Sequence, residues 1–447
     1  MQNFLRRLFG QKRSIVETVQ QSAAPEEVFN PAPVPAEAPT VHQEIIVDQS
    51  VSDTAEEVPT HLLPYDTRLD LRDYQYPPLQ LLSEELRPLF NSLQETAFTL
   101  PIIWSVNSTG IQVRDLMDLQ SILIAGVPAS GKSNLLQQFL LTLLYKKHPS
   151  QIKFVLLDYK GLDLSFYQAI EKHFLAKLPG QESAIVTDTT LAAQTLNALC
   201  IEMDNRYDLL RDAGVKEVKT YNAKFIQRQL SPTKGHQFLP FIILIIDNVE
   251  GFITRQEKEI SPALQRLVTV GYKEGIFVVL TTSDLHYKAL PTELLRLVGE
   301  RIAFRLNSKE EYRKLYETSS VAISYEAGAF HYAYQGKVHA GRSMYIPSEY
   351  IQSLVNFISS QPAYPGSFLL QGFVDEHEPV AQNFDTSEFD SLFEDAARLI
   401  VQNQISSISL LQRRMKLGYN WAGRLMTQLE AAGIVGPDQG SKARGID

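Results

Sequence analysis

The feature that most constrains this chain is a glycine-rich octapeptide, Gly-Val-Pro-Ala-Ser-Gly-Lys-Ser, at residues 126–133. Its spacing is that of a phosphate-binding loop, in which two glycines let successive backbone N–H groups converge on phosphate oxygens. The apolar run at residues 121–125 predicts a buried strand before the loop, and the periodicity of residues 134–145 predicts a helix after it. That helix would add its positive N-terminal end to the site. A chance glycine-rich turn is the alternative, and the flanking strand and helix argue against it.

The loop also predicts which ligand it holds. Lys132 would place a point charge on the β- and γ-phosphates of a nucleoside triphosphate, and the Ser133 hydroxyl would be a ligand of Mg²⁺. We therefore expect ATP and Mg²⁺ as cofactors. The expected nucleotide-binding residues are the loop and the residue that follows it: Gly126, Val127, Pro128, Ala129, Ser130, Gly131, Lys132, Ser133 and Asn134.

A P-loop ATPase needs a second acid at the end of a buried strand, where it holds Mg²⁺ through water. Residues 241–246 form an isoleucine-rich apolar run, and Asp247 follows it directly. We predict that Asp247 is this metal-side acid and acts together with Ser133. The alternative is an aspartate that only caps the end of the strand.

Apolar runs alternate with helical patterns along the middle of the chain. This alternation predicts βαβ units, and therefore an α/β fold with a parallel sheet covered by helices on both faces. The predicted strands are residues 121–125, 153–157, 241–246, 276–281 and 301–306, and the predicted helices are residues 134–145, 191–212 and 261–272.

Composition excludes several classes of protein. The formal net charge of −9 argues against a chain that binds polyanions over its whole surface, although it leaves room for local basic faces. Cys200 is the only cysteine, which excludes a disulfide framework and a cysteine-based metal site and suits a reducing cytosol. No apolar run is long enough to span a bilayer, so we expect a cytoplasmic protein without an integral membrane segment.

The N-terminal part of the chain differs in composition from the rest. Residues 1–13 are basic and weakly amphipathic, which fits either contact with an anionic membrane surface or a solvated tail. Residues 14–67 contain no Lys or Arg and are rich in Glu, Asp, Pro and Ala. Too little apolar surface is available there to offset the entropy of ordering, so residues 1–67 are predicted to be disordered.

Five further stretches occur in a recognisable order. They are residues 74–82 (YQYPPLQLL), 157–164 (LDYKGLDL), 202–207 (EMDNRY), 221–222 (YN) and 301–309 (RIAFRLNSK). Together they resemble the motor of the FtsK/SpoIIIE DNA translocases, within the HerA–FtsK group of P-loop ATPases. The resemblance implies a RecA-like fold that moves double-stranded DNA with ATP. It also implies a homo-oligomer, a hexameric ring around the duplex.

Two positions depart from the family pattern. Where the family has a glutamate that polarises the attacking water, this chain has Asn248, and an amide does not accept a proton near pH 7. The family's Thr-Gln-Arg-Pro stretch corresponds here to residues 282–285, Thr-Ser-Asp-Leu. Either hydrolysis is slow or absent, or Glu250, three residues after Asp247, reaches the water instead. The first outcome would make the chain an ATP-binding adaptor that docks on DNA or on another motor without translocating.

Ring motors insert an arginine from a neighbouring subunit into each nucleotide site. Arg301 and Arg313 both fall at positions that match the family. Either one could be this arginine finger, and either could be an ordinary arginine of the surface or of the core edge.

Residues 409–436 carry two apolar stripes at helical spacing around a glycine. The stripes are residues 410, 411 and 415 and residues 425, 426 and 429, with Gly418 between them at a position suited to a tight turn. This pattern predicts a helix-turn-helix. Residues 396–429 contain no acid but several Arg and Lys residues, as phosphate contacts require.

The stretches 409–420 (SLLQRRMKLGYN) and 428–436 (QLEAAGIVG) resemble the small C-terminal winged-helix domain of the same family. The resemblance implies binding of double-stranded DNA, with Asn420, Arg424 and Gln428 at the base edges. Trp421 replaces an arginine of the family, which puts the preferred DNA sequence in doubt. The alternative is a solvated basic face on a winged helix that binds protein. The expected DNA-binding residues are Arg413, Arg414, Lys416, Asn420, Arg424 and Gln428.

The sequence thus predicts four regions: a disordered tail (1–67), an FtsK-like motor (68–360), a linker (361–386) and a winged helix (387–447). A secretion-type coupling ATPase of the same group is disfavoured because its membrane segment is missing. Chromosome segregation, plasmid transfer and phage-like maintenance are not distinguished.

Overall fold

The computed structural model describes residues 63–107, 110–286, 288–317, 326–334, 337–370, 392–403, 411, 425–430 and 432–436. The predicted N-terminal tail, apart from residues 63–67, lies outside these ranges. So do most of the predicted linker and all of the expected DNA-binding residues except Gln428.

The strands of the described chain are β1 (Pro101–Asn107), β2 (Gly110–Asp115), β3 (Ser121–Ala125), β4 (Ile152–Asp158), β5 (Ala176–Lys177), β6 (Ile185–Val186), β7 (Phe241–Asp247), β8 (Ile276–Thr282), β9 (Glu300–Ala303), β10 (Ala329–Tyr334), β11 (Lys337–Arg342) and β12 (Phe368–Leu369).

The helices are α1 (Arg87–Gln94), α2 (Leu116–Leu119), α3 (Lys132–Lys146), α4 (Glu171–Phe174), α5 (Thr189–Asp212), α6 (Val218–Ile226), α7 (Val249–Arg255), α8 (Glu257–Val270), α9 (Thr292–Leu297), α10 (Lys309–Tyr316), α11 (Ser348–Ser359) and α12 (Phe393–Asn403). Short 3-10 turns occur at Thr67–Leu71, Leu79–Leu81, Ser165–Ile170 and Pro232–Lys234. Residues 425–430 are also helical.

The central sheet has the strand order β11-β10-β9-β3-β8-β7-β4-β6. Strands β9 to β6 in this order are parallel, and the antiparallel hairpin β10–β11 extends the sheet beyond β9. Every residue of β3, β4, β7 and β8 is buried, because helices cover both faces. The insertion of β8 between β3 and β7 is the order expected of a RecA-like ATPase, so the predicted fold class is confirmed.

Each predicted strand and helix of the α/β region has a counterpart, and its ends differ from the predicted ones by more than two residues in only two cases. Helix α8 begins at Glu257, four residues before the predicted start, and β9 ends at Ala303 rather than at residue 306. The strand ends early because the chain turns to follow the phosphate loop. The Phe304 N–H donates to the Ala125 carbonyl (2.9 Å), and the Val127 N–H donates to the Arg305 carbonyl (2.9 Å).

The sequence patterns did not predict the hairpins β1–β2 and β10–β11, which pack beside one another. Trp104 of β1 is fully buried, stacks on Phe139 of α3 and meets Phe330 and Tyr332 of β10 edge-on. The first residues of the predicted linker are part of the α/β fold, because β12 pairs in parallel with β5.

Several residues of the family-like stretches hold the fold together rather than line a site. Arg206 is 1% exposed, pairs with Glu202 and donates to the carbonyls of Pro240 (2.9 Å) and Glu274 (3.1 Å). The Asn222 carboxamide exchanges two hydrogen bonds with the backbone of Leu239. These contacts lie before the first residues of β7 and β8, at the edge of the sheet opposite the phosphate loop. Within the described ranges, no helix is both long and apolar enough to cross a bilayer.

Candidate nucleotide-binding site

The loop of residues 126–131 joins the end of β3 to the start of α3, with left-handed backbone at Ala129 (φ 58°) and at Gly131 (φ 115°). Among the residues that the structure describes, no acceptor receives the N–H groups of these two residues. The first N–H groups of α3 have no partner within the helix either, as at any helix N-terminus. The free N–H groups of Ala129 and Gly131 therefore adjoin those at the start of α3, an arrangement that suits an anion.

Both glycines of the loop are required by Phe304, the residue that follows β9. A Cβ atom at position 126 would lie 2.8 Å from the Phe304 Cβ, and one at position 131 would lie 2.9 Å from the Phe304 ring. The buried ring thus sets the shape of the loop from below, and any side chain at these positions would push the loop away from it.

Lys132 is 7% exposed, and its ammonium group is folded back onto its own loop. Nζ donates to the carbonyls of Gly126 (2.7 Å) and Val127 (3.1 Å). Burial lowers the pKa of Lys132, and the nearby Glu250 and Asp247 carboxylates oppose that shift. The buried ammonium therefore lies between the loop and the acids at the ends of the neighbouring strands.

The Ser133 hydroxyl donates to Asp163 Oδ2 at 2.7 Å. Asp163 is held in place by the turn after β4. In that turn the fully buried Asp158 carboxylate accepts the N–H groups of Lys160 (3.2 Å), Gly161 (2.9 Å) and Leu164 (2.9 Å). Asp163 is not among the site residues predicted from the sequence. Asp163 lies in the stretch 157–164, and the resemblance of that stretch to the family could have pointed to it.

Asp247 is 1% exposed and lies at the end of β7, as predicted. Thr281 of β8 donates its hydroxyl to Oδ1, and Asn248 donates its amide to Oδ2 at 2.6 Å. Burial raises the pKa of Asp247 to about 6; the Thr281 hydrogen bond opposes the rise, while the carboxylates of Asp163 and Asp158 add to it. The positive charge near Asp247 is thus too small to offset the effect of burial on its pKa.

Asn248 takes a left-handed backbone conformation (φ 57°, ψ 56°) as the N-cap of α7. Asparagine tolerates this conformation better than most residues do. Its N–H donates to Thr281 Oγ1 at 2.9 Å, and its side chain is bonded to Asp247. The Asn248 amide therefore orients the Asp247 carboxylate.

Glu250 lies in the first turn of α7, with its side chain near Lys132 and Asp247. Its Oε1 accepts the N–H of Ser283 at 3.0 Å, while its Oε2 is buried without a hydrogen-bond partner in the described chain. Its charge is the main one opposing the lowered pKa of Lys132. One carboxylate oxygen is therefore left for a ligand beside the phosphate-binding lysine.

An interlock between β4 and α7 fixes the position of Glu250. A Cβ atom at Gly251 would lie 2.3 Å from the ring of Tyr159, so only glycine allows this approach. The same ring packs edge-on against Phe252, and the Arg255 guanidinium lies over it at 5.6 Å. Tyr159 therefore packs directly against the helix that carries Glu250.

The residues present fit ATP with a divalent cation. Ser130 Oγ, Ser283 Oγ and Glu250 Oε2 are buried without partners in the described chain, as polar groups are before their ligand binds. No group of three or more His, Cys, Asp or Glu side chains in the described ranges could hold a metal alone. A cation here would take most of its ligands from phosphate and water, as Mg²⁺ commonly does.

The two candidate arginine fingers lie in different surroundings. Arg301 of β9 donates to the carbonyls of Leu315 (3.1 Å) and Arg296 (3.4 Å) of its own chain. The Arg313 side chain is exposed on α10, and no hydrogen bond or ion pair joins that side chain to the described residues. The guanidinium of Arg301 is thus bonded within its own chain, whereas that of Arg313 is not bonded to the described part of it.

The described part of the predicted winged helix has its own small core. Ala396, Ile400, Leu411, Leu425, Met426, Leu429 and Val435 are all buried in one cluster. Leu411, Leu425, Met426 and Leu429 are members of the two predicted apolar stripes, and these four described members share one core. Arg413, Arg414, Lys416, Asn420 and Arg424 lie outside the described residues; Gln428 lies within the helical residues 425–430.

Two family models match the chain. The first, the FtsK/SpoIIIE family, covers residues 93–329, which is more than half of the sequence. The second, the Ftsk gamma domain, covers residues 387–446. Between them they include the phosphate loop, Asp247 and all of the expected DNA-binding residues.

Curated relatives and solved structures extend the comparison. A DNA translocase FtsK of Chlorobaculum tepidum is 32% identical over 79% of this chain and 44% of that protein. One of Streptococcus pneumoniae is 29% identical over 89% of this chain and 52% of that protein. The chain spans about half the length of these relatives. The conjugation coupling protein TcpA of pCW3 superposes with a TM-score of 0.49 at 18% identity, over 63% of this chain and 73% of TcpA. The secretion ATPase EccC of Thermomonospora curvata gives 0.49 at 17% identity, over 70% of this chain and 36% of EccC.

The phosphate loop and the acids at the strand ends lie within the first matched domain, and the second matched domain follows it along the sequence. On this agreement of site, fold and sequence, the chain belongs to the FtsK/SpoIIIE family.

Proposed function

We propose that this chain is an ATP-dependent motor that moves double-stranded DNA. The observation that carries the proposal is the position of Glu250. Its Oε2 is buried and unpaired beside Lys132, in a site whose expected catalytic acid has been replaced by Asn248.

In this proposal the loop and the strand ends bind and orient the phosphates. The free N–H groups of the loop and the Lys132 ammonium hold the β- and γ-phosphates, and Lys132 exchanges its two carbonyl partners for phosphate oxygens. Ser133 and Asp247 would hold Mg²⁺, which neutralises charge on the phosphates when it is bound. The positive charge would also relieve the raised pKa of Asp247.

Glu250 is the proposed base. Oε2 accepts a proton from the attacking water, while Oε1 stays bonded to the Ser283 N–H and fixes the plane of the carboxylate. Asn248 and Thr281 keep the Asp247 carboxylate turned toward the cation site. The catalytic acid is thus moved from the strand end to the first turn of the next helix.

One observation favours a second candidate, an adaptor that binds ATP without turnover. The Asn248 amide occupies one oxygen of Asp247, and this residue pair has replaced the acid pair of the family. In such an adaptor, Glu250 would support the fold of the site through Ser283 without activating water.

The remaining parts of the proposal concern the ring and the DNA. We assign Arg313 as the finger of a hexameric ring, because its side chain is exposed and has no hydrogen bond or ion pair with the described part of its own chain. We assign the C-terminal winged helix to DNA, with Arg413, Arg414 and Lys416 on phosphates and Asn420, Arg424 and Gln428 at base edges. The relatives named DNA translocase support the assignment to DNA.

Purified protein should release phosphate from ATP faster when linear duplex DNA is present, and should strip a third strand from a triplex on that duplex. Lys132→Ala should abolish both activities, because the phosphates lose their buried cation. ATP binding without DNA-stimulated phosphate release, and a triplex left intact, would replace the motor with the adaptor.

Glu250→Gln should lower kcat for ATP hydrolysis by about 10²- to 10⁴-fold, the range for loss of a general base, with little change in nucleotide affinity. Glu257→Gln, at the exposed start of α8, is the matched control and should keep full turnover. Turnover of Glu250→Gln at the parental rate would rule Glu250 out as the base.

Arg313→Ala should lower turnover about 10³-fold or more, the usual effect of losing an arginine finger. Mixing it with Lys132→Ala subunits should restore part of the activity, because some sites then combine an intact loop with a neighbour's intact finger. If Arg301→Ala complements Lys132→Ala and Arg313→Ala does not, the arginine finger is Arg301 and not Arg313.

Replacing both Arg413 and Arg414 with Gln should weaken binding to all duplexes equally and reduce the slope of log K against log salt by about two. Arg398→Gln is the matched control, since Arg398 is already paired with Glu394 on α12. An unchanged slope in the double variant would mean that this basic face does not contact DNA.

A further inference from the structure

The Arg313 side chain, which we assign to the site of a neighbouring subunit, is exposed and makes no hydrogen bond or ion pair with the described residues. It belongs to α10, a helix of only eight residues. A helix of this length is not stable by itself in water, so its orientation is set by tertiary contacts. The direction of the Arg313 side chain therefore depends on what fixes α10 to the rest of its subunit.

Tyr312, the residue before Arg313, fixes α10 to the segment beneath the phosphate loop. Its side chain is 3% exposed, and its hydroxyl bridges two backbone groups that follow β9. The hydroxyl donates to the Phe304 carbonyl (3.1 Å) and accepts the N–H of Leu306 (3.1 Å). Phe304 is the residue that both glycines of the loop approach. The helix is thus bonded to the short segment that shapes the phosphate loop of its own subunit.

Lys314, the residue after Arg313, fixes α10 to a second segment of the same site. Its ammonium donates to the carbonyl of Leu285, in the segment that follows β8. Two residues earlier in that segment, the N–H of Ser283 donates to Oε1 of Glu250, the proposed base (3.0 Å). The two neighbours of Arg313 are therefore bonded to two different parts of their own subunit's nucleotide site.

Two further bonds hold the end of α10 against the central sheet. Nη1 of Arg301, on β9, donates to the Leu315 carbonyl at 3.1 Å. The Tyr316 hydroxyl donates to the His331 carbonyl of β10 at 2.6 Å. The side chains of residues 312, 314 and 316 and the carbonyl of residue 315 are thus all bonded to their own subunit, while the Arg313 side chain between them is not.

We propose that Tyr312 and Lys314 are positioning residues for the arginine finger, which direct Arg313 at the nucleotide site of the neighbouring subunit. Such an arginine acts on the transferred phosphoryl group only in the correct geometry, and a displacement of about 1 Å can cost about 10²-fold in rate. One scaffold then supports the nucleotide site of a subunit and the finger that this subunit offers to the next. This inference rests on the proposed motor and on Arg313 as its finger, and it adds the residues that aim the finger.

The test measures ATP turnover and ATP binding in the full chain. Tyr312→Phe keeps the buried ring and removes the bridging hydroxyl. It should lower kcat about 10²-fold and leave the Kd for ATP unchanged, because its own phosphate loop keeps its lysine and glycines. Lys314→Met keeps the length of the side chain without the ammonium and should behave in the same way. Tyr207→Phe is the matched control, since Tyr207 is 56% exposed on α5, and it should keep full turnover.

Mixed rings separate aiming of the finger from support of the subunit's own site. Tyr312→Phe mixed with Lys132→Ala should regain part of the activity, because some sites then combine an intact loop with a neighbour's well-placed finger. Tyr312→Phe mixed with Arg313→Ala should give no more than the sum of the two variants, because neither subunit offers a well-placed finger. A residue that only supports the fold would not give this difference between the two mixtures.

Several results would overturn the positioning role. Parental turnover of Tyr312→Phe or Lys314→Met would remove that residue from it, and parental turnover of both would reject it with the proposed function intact. Activity regained with Arg313→Ala would mean that the Tyr312 hydroxyl serves its own site, and no gain in either mixture would mean that it only supports the fold. Parental turnover of Arg313→Ala would reject the finger and its positioning together, and a parent protein without turnover would reject the motor itself.

Discussion

The parallel alignment of β3, β8 and β7 is the constraint on which the rest of the site depends. Because all three strands point the same way, their carboxyl ends bring the phosphate loop, Thr281 and Asp247 to one edge of the sheet. The apolar residues of these strands are wholly buried, so the polar residues at their ends are held rigidly. The site is therefore set by the hydrophobic core beneath it, with Phe304 shaping the loop from below.

The charges of this site are arranged for a ligand that brings both signs. A single buried ammonium, that of Lys132, faces carboxylates of Asp247, Asp163 and Glu250. Burial lowers the pKa of Lys132 and raises the pKa of Asp247, so it favours the neutral form of each group. Phosphate oxygens would stabilise the ammonium, and a divalent cation would stabilise the carboxylates. Without such a ligand, the Lys132 ammonium donates its hydrogen bonds to two carbonyls of the loop.

The departures from the family pattern form one coherent arrangement. Position 248 needs a left-handed backbone, which asparagine accepts, and its amide orients Asp247. Glu250 lies two residues further on, in the first turn of α7. Tyr159 fills the space above Gly251 and fixes that turn against β4. A Cβ atom at position 251 would collide with the Tyr159 ring.

The sequence by itself determined the α/β class, the phosphate loop, Asp247 and the family, because these depend on local spacing and on apolar periodicity. It also raised Glu250 as a candidate, but spacing could not tell whether that side chain faces the nucleotide. The hairpins β1–β2 and β10–β11 escaped prediction because their stability comes from contacts distant in sequence, such as Trp104 with Tyr332. Only the tertiary structure decided that Asp163 bonds Ser133, that Arg301 is held by its own chain, and that Met344 bonds Gln138 of α3. Each of these pairs residues on separate elements, and the order in which strands join a sheet, not the distance along the chain, decides which side chains meet.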